Sequence, residues 1–387
     1  MLTPTRHDAL TRLADFTPRA GRDYAAMRNF DDLAHVSVLS PYIRHRIITE
    51  EEVLRAVLSH HSPQAAEKFI QEVVWRTYWK GWLELRPTVW ADYRRDLGAA
   101  LNEVQTQAGL RQRWEAACLG QTGIDGFDHW ARQLVQTGYL HNHARMWFAS
   151  IWIHTLQLPW VLGADFFLRH LLDGDPASNT LSWRWVGGIQ TLGKAYLAQP
   201  DNIAKYTQGR FRPEGLAQSA AALPCPPHPD RGPLPVSGTI DPAKRTGLIL
   251  TEDDLSPDWV LDKVTPVATA FVQTTDQRSP LQVAPMVTDF VAGAMRDCHD
   301  RFAGQLGRVN IISADALADW RKAQGLEQVV MACPPVGPAA DALRQVDAVR
   351  VLHVYDLDAW PHATHGFFRF KDAIPKLLGQ IKGLAVL

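Results

Sequence analysis

Over roughly the first two hundred residues, apolar positions recur every three or four places, the rhythm of helices that bury one face. Thr49 with Glu52, just before Val53 and Leu54, has the spacing of a capping box and sets a helix start there. The stretch 64–85 carries Phe69, Val73, Trp79 and Trp82 at helical spacing, and Pro87 ends it. A further helical segment is expected over 127–157, broken near Thr137-Gly138, and another over 161–172. The rhythm then stops. Between 213 and 243, Pro213, Pro224, Pro226, Pro227, Pro229, Pro233, Pro235 and Pro242 punctuate a stretch with little periodicity, which reads as a linker or as a loop lying on a surface.

Beyond it the pattern changes to short apolar runs alternating with amphipathic stretches. Strands are expected at 247–251, 267–272, 309–313, 328–332 and 349–353, with helices at 285–304, 314–324 and 337–345. Such alternation predicts βαβ crossovers and a mainly parallel, doubly wound sheet. The expected organisation is therefore a helical domain over 1–212, a proline-rich linker over 213–245 and a Rossmann-like α/β domain over 246–387. A chain of 387 residues is long enough for two cores.

Composition narrows the classes. At 46% hydrophobic and 21% charged, the chain has the balance of a folded globular protein. No apolar run reaches the ~20 residues that span a bilayer, and the first residues lack a secretory signal, so no membrane and a cytoplasmic location are expected. The net charge of −1 means that any contact with nucleic acid rests on a local basic face. The four cysteines are widely spaced without a C-x-x-C, which argues against a zinc knuckle or redox pair, and no metal is expected. Most of the 14 tryptophans lie before residue 190, so the two halves differ in kind.

Three constellations carry candidate chemistry. Glu72, Trp75 and Arg76 share one helix face, which suits either a salt-bridged surface beside a core or a recognition face. Asn142, Arg145, Met146 and Ala149 share another; His141 and His143, two apart, make a poor metal pair. Asp173-Gly174-Asp175, with Asn179, forms a polar turn able to bind a metal, a ribose or its own backbone. Trp183, Trp185 and the adjacent Gly187 and Gly188 follow, suggesting backbone packed against something flat. The run Gly188 to Ala195 nearly spells a phosphate-binding loop, but Ala195 has no hydroxyl for a magnesium ion and no clear strand precedes it.

Taken in order, these segments resemble the flavin-binding domain of the DNA photolyase/cryptochrome family. The resemblance runs from about Arg22 to Lys205 and includes Tyr24 to Arg28, Val36 to Tyr42, Phe69-x-x-Glu72-x-x-Trp75-Arg76, Thr122-Gly123 with Asp128, Arg132 to Met146, and Asp173 to Trp185. It implies a U-shaped FAD in an all-helical domain. Tyr24, Val36, Ser37, Val38, Leu39, Ser40, Phe69, Asn142, Arg145, Asp173, Gly174, Asp175 and Asn179 would contact the cofactor, with Asn179 facing the flavin N5. Arg28, Glu72, Trp75, Arg76, Met146 and Trp185 would take the damaged bases and phosphates. Trp183 and Trp160 would relay electrons, with Trp114, Trp147 or Trp152 as candidates for the missing third member. The implied activity is light-driven repair of pyrimidine dimers in DNA by electron transfer from photoexcited reduced FAD, in a chain expected to be monomeric; the alternative is a blue-light photoreceptor without repair.

The sequence departs from the family in places. Val36 replaces a usual hydroxyl residue, Thr77 stands where an acid is common, and His143 where an arginine is common. Domain order departs most: 246–385 resembles the family's α/β domain, from Gly247–Leu255 to the exit segment Gly366–Lys371 with Ile374-Pro375, yet it follows the flavin half. Whether that domain holds an antenna chromophore is left open by the residues.

Overall fold

The computed structural model describes residues 2–381 and 383–384. The helical half contains α1 (Arg6–Phe16), α2 (Arg22–Met27), α3 (Ser40–Arg44), α4 (Glu50–Leu58), α5 (Glu67–Glu84), α6 (Thr88–Thr106), α7 (Ala108–Leu119), α8 (Phe127–Thr137), α9 (Asn142–Ser150), α10 (Trp160–His170), α11 (Pro176–Val186) and α12 (Pro200–Tyr206). The α/β half follows as β1 (Thr246–Thr251), α13 (Asp258–Leu261), β2 (Ala268–Val272), α14 (Pro285–Phe302), β3 (Arg308–Ile311), α15 (Leu317–Ala323), β4 (Gln328–Ala332), α16 (Pro338–Ala342), β5 (Val349–Val351), α17 (Val354–Ala359), α18 (Phe367–Lys371) and α19 (Ile374–Gln380). No described helix is long and apolar enough to cross a membrane.

Local chemistry explains the boundaries that matter. Thr49 Oγ accepts from the Glu52 N–H at 3.2 Å while the Thr49 N–H donates to Glu52 Oε2 at 2.8 Å, a complete capping box that starts α4. Gly138, at φ 68°, ends α8 in the left-handed conformation. A Cβ there would also lie 2.7 Å from Leu172, so only glycine fits. Asp175 caps α11 through the Ser178 N–H at 2.8 Å, with Pro176 in the first turn. The helical segment expected over 127–157 breaks at Thr137-Gly138, as expected, and after α9 it winds further into a π-turn over Ile151–Thr155.

The sheet is wholly parallel, in the order β3-β2-β1-β4-β5, with Gly247 opposite Ala268 and Thr246 opposite Gln328. Leu248, Leu250, Phe271, Val330 and Val351 join one continuous core with the helical half. Ile249, Ala270, Val272, Val329 and Met331 face the other way, under Trp320 of α15 and Leu343. Burial on both faces is why these strands read as unbroken apolar runs.

The proline-rich stretch holds no helix or strand and is a strap pinned at intervals. Leu223 N–H bonds to Gly187 O at 2.9 Å, Gly232 N–H to Leu85 O at 2.8 Å and Gly238 N–H to Arg350 O at 2.7 Å. Strand order reverses between β1 and β4, where an open sheet of this kind offers a ligand crevice. Here the helical half occupies the β1 end. Arg44 donates to Asp253 at 2.5 Å, His45 Nδ1 donates to Glu252 O at 2.6 Å, and Arg46 forks onto Asp356 at 2.6 and 2.7 Å. Arg46 holds φ 46° to do so and also stands 3.5 Å from Glu50 and 3.4 Å from Asp254.

Candidate functional site

The segment before α3 is backbone held out of its resting conformation. Val38 has φ 51°, a position that β-branched residues avoid, and Ser37 Oγ accepts the Leu39 N–H at 3.3 Å. Strain of this kind collects where a chain is shaped for a ligand. Ser40 donates to Asp173 Oδ2, which also accepts from Arg145 Nη2 at 2.8 Å. Arg145 Nε donates to Leu140 O at 2.9 Å, and its guanidinium lies 5.3 Å from the Tyr139 ring centre. Burial works against the Arg145 charge, but Asp173 outweighs it and raises the pKa. Asp173 Oδ1 is buried with no partner among the described residues. A buried carboxylate oxygen left unpaired is costly and calls for a donor.

Asp175, two residues on, is differently placed. Besides capping α11 it accepts from Arg76 Nη1 at 3.2 Å and lies 3.8 Å from Arg44 Nε. Burial would raise its pKa, but Arg76 and Arg44 hold it well below the carboxylate range. Arg76 also reaches Glu50 at 3.4 Å and donates to Arg44 O at 3.2 Å; against its burial, Arg46 and Arg76 draw Glu50 down to about 2. The expectation that Arg76 holds DNA phosphates is therefore corrected: its side chain points into the protein. Two buried carboxylates on α4 and α11 require a cation there. The expected flavin contact of Asp175 meets the same competition, because its oxygens already serve the cap and Arg76.

On the outer face of α5, Glu72 pairs with Arg28 of the α2 C-terminus. Burial, then the neighbouring Glu72, raise the Tyr24 hydroxyl above its usual pKa. Phe69 and Tyr24 meet edge to face at 5.2 Å, both within the core. Trp75 stacks on Phe367 of α18 at 3.6 Å and 10°. Tyr78, which meets the same Phe367 edge-on, and Glu72 lie three residues to either side of Trp75, hence about 60° to opposite flanks of it. Phe367 thus covers the flank away from Glu72.

His141 and His143 are structural. Their ring nitrogens donate to Arg28 O at 3.0 Å and Asn29 O at 2.9 Å, and burial lowers His141 to about 4. The half-buried Met146 lies 4.0 Å from the amide of Asn142, which is exposed. Asn179 is buried and donates to Ala164 O at 2.8 Å. Trp185 stacks on Tyr196 at 5.5 Å. Trp183 meets Trp152 edge-on at 6.2 Å and has a buried indole N–H with no partner among the described residues, whereas Trp160 meets Tyr93 at 5.8 Å. Val36 and Leu39 pack apolar side chains on or in the core beside this strip, and Gly174 gives its carbonyl to Arg44 at 2.9 Å.

One chain of polar contacts links these pieces. Glu72 pairs with Arg28, whose carbonyl accepts from His141; the His141 carbonyl accepts the Arg145 N–H at 3.0 Å, and Arg145 continues to Asp173 and Ser40. Residues that the sequence left out also enter: Arg44, Phe367 and Arg278, whose guanidinium donates to Leu171 O at 3.4 Å beneath the 171–175 turn. Arg44 lies two residues past the Val36–Tyr42 segment and Phe367 within the Gly366–Lys371 exit segment, but nothing local points either of them, or Arg278, to this site; tertiary packing alone brings them here. Among the described residues no group of three His, Cys, Asp or Glu side chains gathers for a metal. The strained 37–40 backbone, the unpaired Asp173 oxygen and the unpaired Trp183 N–H suit a ligand with phosphates and a polar-edged flat ring, as FAD has.

Comparison with known proteins agrees. Residues 69–210 match the family model described as the FAD binding domain of DNA photolyase. The chain is 31% identical over 194 residues to a deoxyribodipyrimidine photo-lyase of Alkalihalophilus pseudofirmus, covering 49% of this chain and 39% of that protein. It is 34% identical over 193 residues to one from Agrobacterium fabrum, covering 48% and 39%. Among solved structures, a bacterial class III photolyase from Agrobacterium tumefaciens is 26% identical with a TM-score of 0.42, covering 53% of this chain and 43% of that one. The chain spans about 40% of the length of these curated relatives.

Proposed function

The chain belongs to the DNA photolyase/cryptochrome family, and from that premise we propose that it is a light-driven lyase that repairs pyrimidine dimers in DNA. The observation that carries the reading is the polar chain from Glu72 through Arg28, His141 and Arg145 to Asp173, which ties a half-buried aromatic rim to the flavin strip. Ser37 to Ser40 and Asp173 would hold FAD, with Arg145 fixed by Asp173 against its ring edge. Held there in its reduced form, FAD would supply the light-driven one-electron chemistry that opens the dimer.

The residues of this chain do the rest. A dimer already distorts its pairing, so flipping it out costs less than for an intact base. The flank of Trp75 toward Glu72 supplies stacking worth about 1–3 kcal/mol per base, with Trp185 and Met146 as the opposite wall. The Glu72 carboxylate would accept from a ring N–H of the dimer, and Arg28, its present partner, would neutralise charge arriving at the neighbouring carbonyls. Asn179 would tune the flavin from its buried seat on α11.

The test is repair under light by chemically reduced protein, on oligothymidylates holding one cyclobutane dimer, single- and double-stranded. Glu72→Ala should keep its FAD and split dimers at least ten-fold less efficiently per photon, the cost of about 1.5–3 kcal/mol expected when a polar partner of a buried charge is lost. If wild-type protein splits dimers in neither strand form, the lyase reading fails and the photoreceptor reading replaces it.

A further inference from the structure

We propose that α18, in the C-terminal half, is a DNA-contacting element, with Phe368 meeting a base beside the lesion and Arg369 a backbone phosphate; this rests on the repair reading above. The helix is anchored at the lesion rim. Phe367 stacks on Trp75, Phe370 meets Tyr78 at 5.5 Å, Lys371 pairs with Glu67 at 2.6 Å, and Tyr78 donates to His365 O at 2.8 Å. With Phe367 and Phe370 turned inward on α5, helical spacing turns Phe368 and Arg369 outward. Phe368 is 84% exposed, and Arg369 is exposed with no carboxylate partner among the described residues.

An aromatic face left in water beside a free guanidinium is the pairing that single-stranded nucleic acid uses, stacking for bases and charge for phosphates. Local charge agrees. Between Gly366 and Ile381, Arg369, Lys371 and Lys376 face the single acid Asp372, in a chain whose net charge is −1. Phe367 joins this surface to the candidate dimer pocket: the residue that backs Trp75 is the chain neighbour of the one that faces solvent. The C-terminal half thereby contributes to the substrate surface as well as to the core.

The experiment uses FAD-loaded protein and measures binding to an oligothymidylate with one dimer and to its undamaged counterpart over a range of salt. Phe368→Ala should weaken binding at least five-fold, while Phe368→Trp stays near wild type. Arg369→Gln should reduce the slope of log affinity against log salt by roughly 0.7, as loss of one phosphate contact on a single strand does. FAD content should not change, and dimer splitting should fall at limiting substrate in step with the weaker binding. Wild-type binding by both Phe368→Ala and Arg369→Gln overturns the proposal while leaving repair intact. If wild type prefers neither strand yet Phe368→Ala weakens both, repair fails and the DNA surface stands. Absence of binding to either strand overturns both.

Discussion

Replacing Glu84 by Gln should make the protein markedly less sensitive to alkali. Glu84 closes α5, and its Oε1 accepts the Val336 N–H of the α/β half at 2.6 Å. It borders a water-sized cavity with Lys80, Asp175 and Asp253. Burial pushes its pKa from an ordinary 4.5 up to about 7, against the opposing pull of the Val336 N–H and Lys80. Between those values the folded state keeps a proton that the unfolded chain releases, so stability falls as pH rises through this window and levels off above it. Such a gap corresponds to roughly 3 kcal/mol in full, of which about 2.5 kcal/mol is spent between pH 5 and pH 8. Glutamine keeps the carbonyl that accepts the Val336 N–H and cannot ionise. Urea unfolding of both proteins at pH 5 and pH 8 reads the effect as a difference of differences, in which the other titrating groups cancel. Glu84→Gln should gain about 2 kcal/mol or more on wild type across that interval. A stability difference equal at the two pH values would falsify the assignment of a buried, proton-retaining carboxyl.

Three other outcomes are expected. Asp173→Ala, which removes the shared partner of Ser40 and Arg145, should purify folded but with most of its flavin lost, as released chromophore per chain will show. Blue-light photoreduction with an external reductant should slow strongly in Trp183→Phe; comparing Trp160→Phe with Trp152→Phe will tell which neighbour feeds it, and the 6.2 Å ring contact favours Trp152. Asp356→Ala removes the two-pronged partner of the buried Arg46, which keeps the longer contacts to Glu50 and Asp254, and should cost about 1.5–3 kcal/mol in urea unfolding at neutral pH.

Elements were legible where local chemistry alone decides them. The apolar runs of β1, β2 and β4 became strands because burial on both faces demands continuous hydrophobicity, and the Thr49–Glu52 box started its helix because its donors and acceptors lie one turn apart. Glu72, Trp75 and Arg76 share a helix face as their spacing says, yet their fates diverge. Arg76 turns to Asp175, 99 residues away, and Trp75 finds Phe367 in the other half of the chain. No periodicity encodes such partners; they follow from how two cores meet. The ionic seam at Arg44–Arg46 was hidden for the same reason, since basic residues at the end of a short helix read as surface until acids from the loop after β1 and from α17 enclose them.

The Arg46–Asp356 fork spans 310 residues of chain. On a ribosome adding about 5–20 residues per second, Arg46 emerges some 15–60 s before its partner exists. During that interval the helical half carries, unshielded, the apolar face that β1 and β4 will later cover and the cationic turn that the loop after β1 and α17 will later neutralise. Completion of the flavin-binding half thus waits on a segment made some 300 residues later, and a nascent protein stalled before α17 would be a substrate for chaperones rather than for FAD.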